Sequence, residues 1–312
     1  TPCGTLFPYT TLFRSVFIVA SDRSGSTLLA VMLNQSRELY IFREASFLPD
    51  LVIQAHAYSD FSRPAYRSRF IADLKSHRRF KRDVGSAENY TWSVFDLTEA
   101  EAEAALAAAA PTDYAGACAA VCLASARKRG RAQWGDKTPR QIRHVPFLAK
   151  AFPDSRFIHI YRDGRDAAIS MGRAGWFDLS RPGEAWRQAA EFWVDNVRTG
   201  RTAGRDLPPH RYRDVAYETL VTDPEATLRD LCDWLGLAFM PAMLHHETDP
   251  ASGRSAVPEM FPLLSKPVTA SRVGELQGEL DSVQVAEFES VAGPLLAELG
   301  YEVANPAFGL SE

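Results

Sequence analysis

Arg23, Ser24, Gly25, Ser26 and Thr27 follow the apolar run Val16-Phe17-Ile18-Val19-Ala20 and precede Leu28-Leu29, the order of a buried strand, a tight polar loop and a helix start. Backbone N–H groups at such a helix N-terminus hold tetrahedral oxyanions. Laid on the loop pattern G-x-x-x-x-G-K-[ST], Ala20 takes the first glycine position, Gly25 the second, Ser26 that of the lysine and Thr27 that of the hydroxyl. The scaffold for an anion is therefore present without the lysine that reaches the β- and γ-phosphates of a nucleoside triphosphate. Arg23 offers a guanidinium fork instead, suited to a doubly anchored oxyanion. Taken alone, the loop also reads as a plain strand-to-helix turn capped by serine.

Two more segments place polar residues just after strands: Asp136 to Arg140, and Arg162 to Ser170. Arg162 leaves a strand and Ser170 lies about two helical turns on, so both are expected to face one anion. Two cradles imply a ligand with two anionic ends. Lys137, held in a turn at the same sheet edge, can neutralise charge developing on a leaving oxygen. Glu44, the nearest carboxylate to the first cradle, can take a proton from an incoming hydroxyl. Singly, Lys137 reads as a surface charge and Glu44 as a partner for Arg43 or Arg23; the combination carries the reading.

The elements that must position these residues alternate. Helices are expected at Ser26–Asn34, Gln141–Phe152, from Ala167, at Glu184–Arg198, Pro224–Leu235, near Met240–His245 and at Asp281–Leu299. Strands are expected at Tyr40–Phe42, ending at Trp134, at Arg156–Tyr161 and at Tyr212–Tyr217, with a Gly/Arg/Pro linker over 200–211. Thr98 with Glu101 at capping-box spacing starts the first of two alanine-rich helices, which Pro111 separates. Residues 54–97, rich in arginine and aromatics, read equally as helices and loops over a site or as a solvated insertion. Strands alternating with helices give an α/β fold, a three-layer parallel sheet flanked by helices and like that of P-loop nucleoside triphosphate hydrolases, with ligands at the carboxyl ends of the strands.

A chain of 312 residues that is 46% hydrophobic and 24% charged is neither disordered nor fibrous. Its net charge of −4 gives no global basic field for nucleic acid. No apolar run approaches the ~20 residues of a membrane helix. Residues 1–15 read as a translated sequencing adapter, set apart from the fold, and with no initiator methionine the natural N-terminus is expected to be missing. A single domain is expected over 16–300, with 54–133 a variable helical region on the acceptor side and 301–312 a tail. Cys118 and Cys122 read as buried helix-face thiols and His245-His246 as structural, so no metal site is expected.

Arg23-Ser24-Gly25-Ser26-Thr27 and Tyr161-Arg162-Asp163-Gly164-Arg165-Asp166-Ala167-Ala168-Ile169-Ser170 together resemble the 5′-phosphosulfate loop and the 3′-phosphate motif of sulfotransferases that use 3′-phosphoadenosine 5′-phosphosulfate, most of all the tyrosylprotein branch. The resemblance implies donor contacts from Arg23, Ser24, Gly25, Ser26, Thr27, Arg162, Ser170, Tyr217 and Lys266, and catalysis by Glu44 as base, Lys137 at the leaving group and Arg23 at the moving group. It also implies adenosine 3′,5′-bisphosphate as product and no metal. The acceptor, a hydroxyl or amine on a peptide, carbohydrate, lipid or small molecule, is left open, as is a homodimer; a cytoplasmic location is expected. The competing readings are a P-loop kinase, which predicts lysine where Ser26 stands, and a nucleotide-binding protein with a degenerate loop.

Overall fold

The computed structural model describes residues 15–44, 58, 60–76, 90–180, 182–248, 264, 266–274, 278 and 280–304. Outside them lie the adapter-like residues 1–14, residues 54–57, 59 and 77–89 of the aromatic region, residues 251–263 and 265, and 305–312 of the tail.

Five strands, β1 (Val16–Val19), β2 (Leu39–Arg43), β3 (Gln133–Lys137), β4 (Arg156–Tyr161) and β5 (Tyr212–Ala216), form a parallel sheet with flanking helices, in the order β2-β3-β1-β4-β5. This is the expected α/β class. All four residues of β1 are buried, as a continuous apolar run predicts for a strand covered on both faces. From β1 the chain turns through the loop at Ser21 into α1 (Ser26–Leu33).

The chain divides into two compact units. The first comprises Thr1–Phe17, Arg37–Thr138 and Pro146–Arg156. In it β2 pairs with β3 in a register that puts Phe42 beside Asp136 and Arg43 beside Lys137. Its helices include α2 (Pro64–Ser76), α3 (Glu99–Ala109) and α4 (Tyr114–Lys128). The capping box at Thr98 and Glu101 forms as the sequence predicts, worth about 1 kcal/mol. Phe17, Trp134 and Phe152 pack as an aromatic trio with ring centroids 5.6–5.7 Å apart. Cys118 and Cys122 lie buried on α4, and burial pushes both thiols well above their ordinary pKa, which leaves them unreactive.

The helix expected over Gln141–Phe152 is two pieces, a 3₁₀ segment at Pro139–His144 and α5 (Val145–Ala151). Pro146, in the first turn of α5, supplies no N–H to bond back into the 3₁₀ segment, so the two do not continue as one α-helix.

The second unit comprises Ile18–Ser36, Pro139–Val145 and Phe157–Glu312. β4 and β5 pair so that Tyr161 stands beside Ala216. The helix after β4, α6 (Gly164–Arg173), starts three residues before the expected Ala167, because the Asp163 side chain accepts a hydrogen bond from the Arg165 N–H and caps it. The next helix, α7 (Glu184–Arg205), runs through half of the expected linker. A Cβ on Gly200 would sit 2.6 Å from Ile142 Cδ1, so this glycine serves close packing rather than a chain break. The strand expected to reach Tyr217 ends at Ala216, and Tyr217 opens α8 (Tyr217–Thr222), followed by α9 (Pro224–Leu235) and, after a 3₁₀ segment at Pro241–Thr248, α10 (Ser282–Glu298). Trp186, Trp193 and Val197 of α7 pack with Phe288 and Leu295 of α10 and Met171 of α6, the core beneath the second motif.

Candidate active site

In the second unit the loop after β1 has the conformation that an anion cradle needs. Gly25 has φ 88° and caps α1 with no side-chain hydrogen bond, so α1 opens toward the loop with its backbone donors uncapped by any side chain among the described residues. A Cβ at Gly25 would be driven into the Tyr217 ring, so glycine is required here both for the left-handed backbone and for the close approach of that ring. Ser24 and Ser26 are buried, and the Ser24 Oγ has no hydrogen-bond partner among the described residues. A buried hydroxyl left unpaired is costly and fits a site completed by a polar ligand. Thr27, also buried, follows in the first turn of α1.

Two guanidinium groups serve this cradle. Arg23 stands at φ 66°, a left-handed conformation that costs a non-glycine residue on the order of 1 kcal/mol, and its Nε donates to Ser170 Oγ at 3.0 Å. Burial pulls the Arg23 pKa below its ordinary value; Asp22 opposes that shift and the like charge of Arg162 adds to it. Arg162 is buried, stacks 4.6 Å above the Tyr217 ring and donates through Nη2 to Asp166 Oδ2 at 3.1 Å. The sequence pairs Ser170 with Arg162; in the structure its hydrogen bond joins the first cradle to the second motif through Arg23. Arg23, Ser24, Gly25, Arg162, Ser170 and Tyr217 are thus one connected group.

Beneath it lies a polar network that spacing alone does not reveal. Arg165 clamps Asp163 through two hydrogen bonds of 3.0 and 2.7 Å and reaches Glu289 at 2.7 Å. Trp193 Nε1 donates to the Arg162 carbonyl at 3.2 Å. Asp166, besides holding Arg162, accepts the Gly274 N–H at 3.2 Å, and burial raises its pKa against the pull of Arg162. The Asp166 position was signalled by its four-residue offset from Arg162. No local pattern signals Glu289 or Gly274, more than a hundred residues away.

In the first unit Lys137 ends β3 and Glu44 follows the neighbouring strand β2. Lys137 Nζ donates to Glu44 Oε1 at 2.8 Å, and the Glu44 N–H donates to the Lys137 carbonyl at 2.7 Å. The Lys137 side chain is only 2% exposed, and a buried ammonium persists only with such a partner. Lys137 is therefore not a surface charge, and its carboxylate partner is Glu44. Glu44 has φ 54°, so it shares with Arg23 a left-handed backbone that side chains rarely adopt. Thr138 Oγ1 donates to the buried Asp136 at 2.7 Å, fixing the turn that follows Lys137.

Lys266 is exposed and, among the described residues, no hydrogen bond or ion pair joins it to the cradle. His246 is buried, and burial lowers its pKa while Glu247 opposes. Among the described residues no group of three His, Cys, Asp or Glu is placed to hold a metal ion.

The model of the sulfotransferase family matches residues 15–241, a span that contains the β1 loop, Glu44, Lys137, the second motif and Tyr217. The chain belongs to the sulfotransferase family. Protein-tyrosine sulfotransferase 1 of Danio rerio is 32% identical to it over 185 residues, covering 55% of this chain and 49% of that protein. Protein-tyrosine sulfotransferase of Drosophila melanogaster is 24% identical over 312 residues, covering 96% and 54% respectively. The chain thus spans about half the length of these two curated relatives. Among solved structures, the sulfotransferase domain from the curacin biosynthetic pathway superposes with a TM-score of 0.64 at 21% identity, over 94% of this chain and 99% of that domain. That likeness establishes the sulfotransferase fold.

Proposed function

We propose that the protein moves a sulfuryl group from 3′-phosphoadenosine 5′-phosphosulfate to an acceptor hydroxyl or amine. The observation that carries this reading is the pair of arginines, the half-buried Arg23 and the buried Arg162, gathered at one strand-to-helix loop with Arg23 tied to Ser170 and like charge felt between them. Two cations brought together in a poorly solvated place are stabilised by an anion. The uncapped α1 N-terminus and the unpaired Ser24 hydroxyl suit the same kind of ligand. The cradle residues therefore fit a donor with two anionic ends.

When bound, the donor supplies a sulfuryl group whose bond to the 5′-phosphate oxygen breaks as the acceptor oxygen or nitrogen bonds to sulfur. In this reading Arg23 with the amides of residues 24–27 holds the 5′ end, and Arg162 with Ser170 holds the 3′-phosphate. Tyr217, already stacked under Arg162, supports the nucleotide, and Lys266 joins the donor-binding set. Glu44 removes the acceptor proton, and Lys137 neutralises the phosphate oxygen that departs. The Lys137–Glu44 hydrogen bond of 2.8 Å holds the proposed base and the proposed leaving-group lysine side by side. Arginine and lysine supply the charge compensation, so the proposed transfer uses no metal.

The names of the relatives favour a protein acceptor, and a tyrosine-bearing peptide is the proposed one; carbohydrate, lipid and small-molecule acceptors are the alternatives. A thermal-shift comparison tests the donor. Adenosine 3′,5′-bisphosphate is expected to stabilise the protein, by about 2.7 kcal/mol at a hundredfold excess over Kd, while ATP with magnesium is not. Stabilisation by ATP with magnesium alone would replace this reading with a kinase-like one.

A further inference from the structure

Glu218 and Tyr301 bind no part of the proposed donor in the roles above, yet they connect the elements that carry Arg162 and Tyr217. Glu218 follows Tyr217 at the start of α8. Its Oε1 accepts the backbone N–H of Asp163, the residue after Arg162, at 2.9 Å. Its Oε2 accepts the Tyr301 hydroxyl at 2.9 Å. One carboxylate therefore ties the β5–α8 junction to the β4–α6 junction, and both to the chain after α10.

That chain is pinned a second time. Glu289, which holds Arg165 through Oε1, accepts the Ala304 N–H through Oε2 at 2.9 Å. Tyr301 and Ala304 thus reach the two acids that fix the Asp163–Arg165 turn. Arg162 sits directly on this turn, and its guanidinium must keep its place above Tyr217 for the cradle to exist as built. Glu218 is partly buried, and burial raises its pKa; the hydrogen bonds from Asp163 and Tyr301 favour the ionised form against that shift. A carboxylate that accepts two hydrogen bonds in a poorly solvated place holds its neighbours more firmly than a neutral acceptor does.

We propose that Glu218, braced by Tyr301, is a positioning residue for the 3′-phosphate cradle: it fixes the spacing of Arg162 and Tyr217 and so sets donor affinity without entering the transfer step. The proposal rests on the donor reading above. Its effect belongs to the donor and not to the acceptor, because among the described residues the hydrogen bonds of the Glu218 carboxylate lead to the β4–α6 junction and to the C-terminal segment.

Calorimetric titration with adenosine 3′,5′-bisphosphate tests it on the full chain. Glu218→Ala is expected to weaken binding about tenfold and Tyr301→Phe about threefold, the scale of losing charge-assisted hydrogen bonds. Glu218→Gln keeps an acceptor for the Asp163 N–H and a polar group for Tyr301, and is expected to recover most of the affinity. In turnover the loss is expected in the KM for donor, with acceptor KM unchanged. Wild-type binding with no change in Tyr301→Phe and Glu218→Ala would overturn the positioning role while leaving the donor reading intact; failure of the wild type to bind would overturn the donor reading itself. If Glu218→Ala does not fold, Tyr301→Phe decides, since it removes one hydroxyl, and unchanged affinity there overturns the brace.

Discussion

Lys137 shows how far residue type and position decide chemistry. A lysine whose side chain is 2% exposed pays a large desolvation cost, and the structure meets it with Glu44 at 2.8 Å. Stability alone is served as well by an apolar pair of similar volume, so the retained ion pair points to a use for the charge. The residue-scale prediction is that Lys137→Ala lowers kcat about 10²–10³-fold, the cost of removing a donor aimed at developing negative charge. Donor affinity, measured by titration, is expected to change less than threefold; a large loss of affinity with unchanged kcat would make Lys137 a binding residue instead. Arg23 and Glu44 share a second mark, a left-handed backbone at a non-glycine residue, which side-chain identity does not reveal and which the sequence therefore hides.

At the scale of elements, the strand-to-helix junctions carry the candidate site, and their places in the sequence were largely legible. The apolar runs mark β1 and β4, the matched motif marks the loop at Arg23, and the capping box at Thr98 forms as read. Helix boundaries were less legible where a tertiary contact overrides a local signal. Gly200 looks like a linker residue until Ile142 is seen against it, and Asp163 caps α6 three residues early. The sequence reading paired Ser170 with Arg162, whereas its hydrogen bond is to Arg23, spans 147 positions and follows from no spacing rule. Gly25 is the element-scale test. Gly25→Ala must accept a φ of 88° and displace the Tyr217 ring, so we expect a loss of about 1–3 kcal/mol in denaturant unfolding and weaker donor binding. An alanine variant with wild-type stability and affinity would show that the loop does not depend on that contact.

For the whole molecule, a net charge of −4 means that the proposed affinity for a doubly anionic donor must come from local placement and not from the overall field. The candidate residues fall in both compact units: Glu44 and Lys137 belong to one, and Arg23, Arg162, Ser170 and Tyr217 to the other. The sequence reading named these six residues because their motifs are short and local; it could not name the acceptor, since acceptor recognition leaves no comparable pattern in the region from 54 to 133. The most direct measurement follows label from sulfuryl-labelled 3′-phosphoadenosine 5′-phosphosulfate into separate pools of tyrosine-bearing peptide, carbohydrate, lipid and phenol, with adenosine 3′,5′-bisphosphate quantified alongside. The expected result is label transferred to the peptide pool, an equal amount of adenosine 3′,5′-bisphosphate formed, and both suppressed in Lys137→Ala. Folded protein that transfers label to no pool, or that instead transfers the γ-phosphoryl group of ATP, would contradict sulfuryl transfer as its activity.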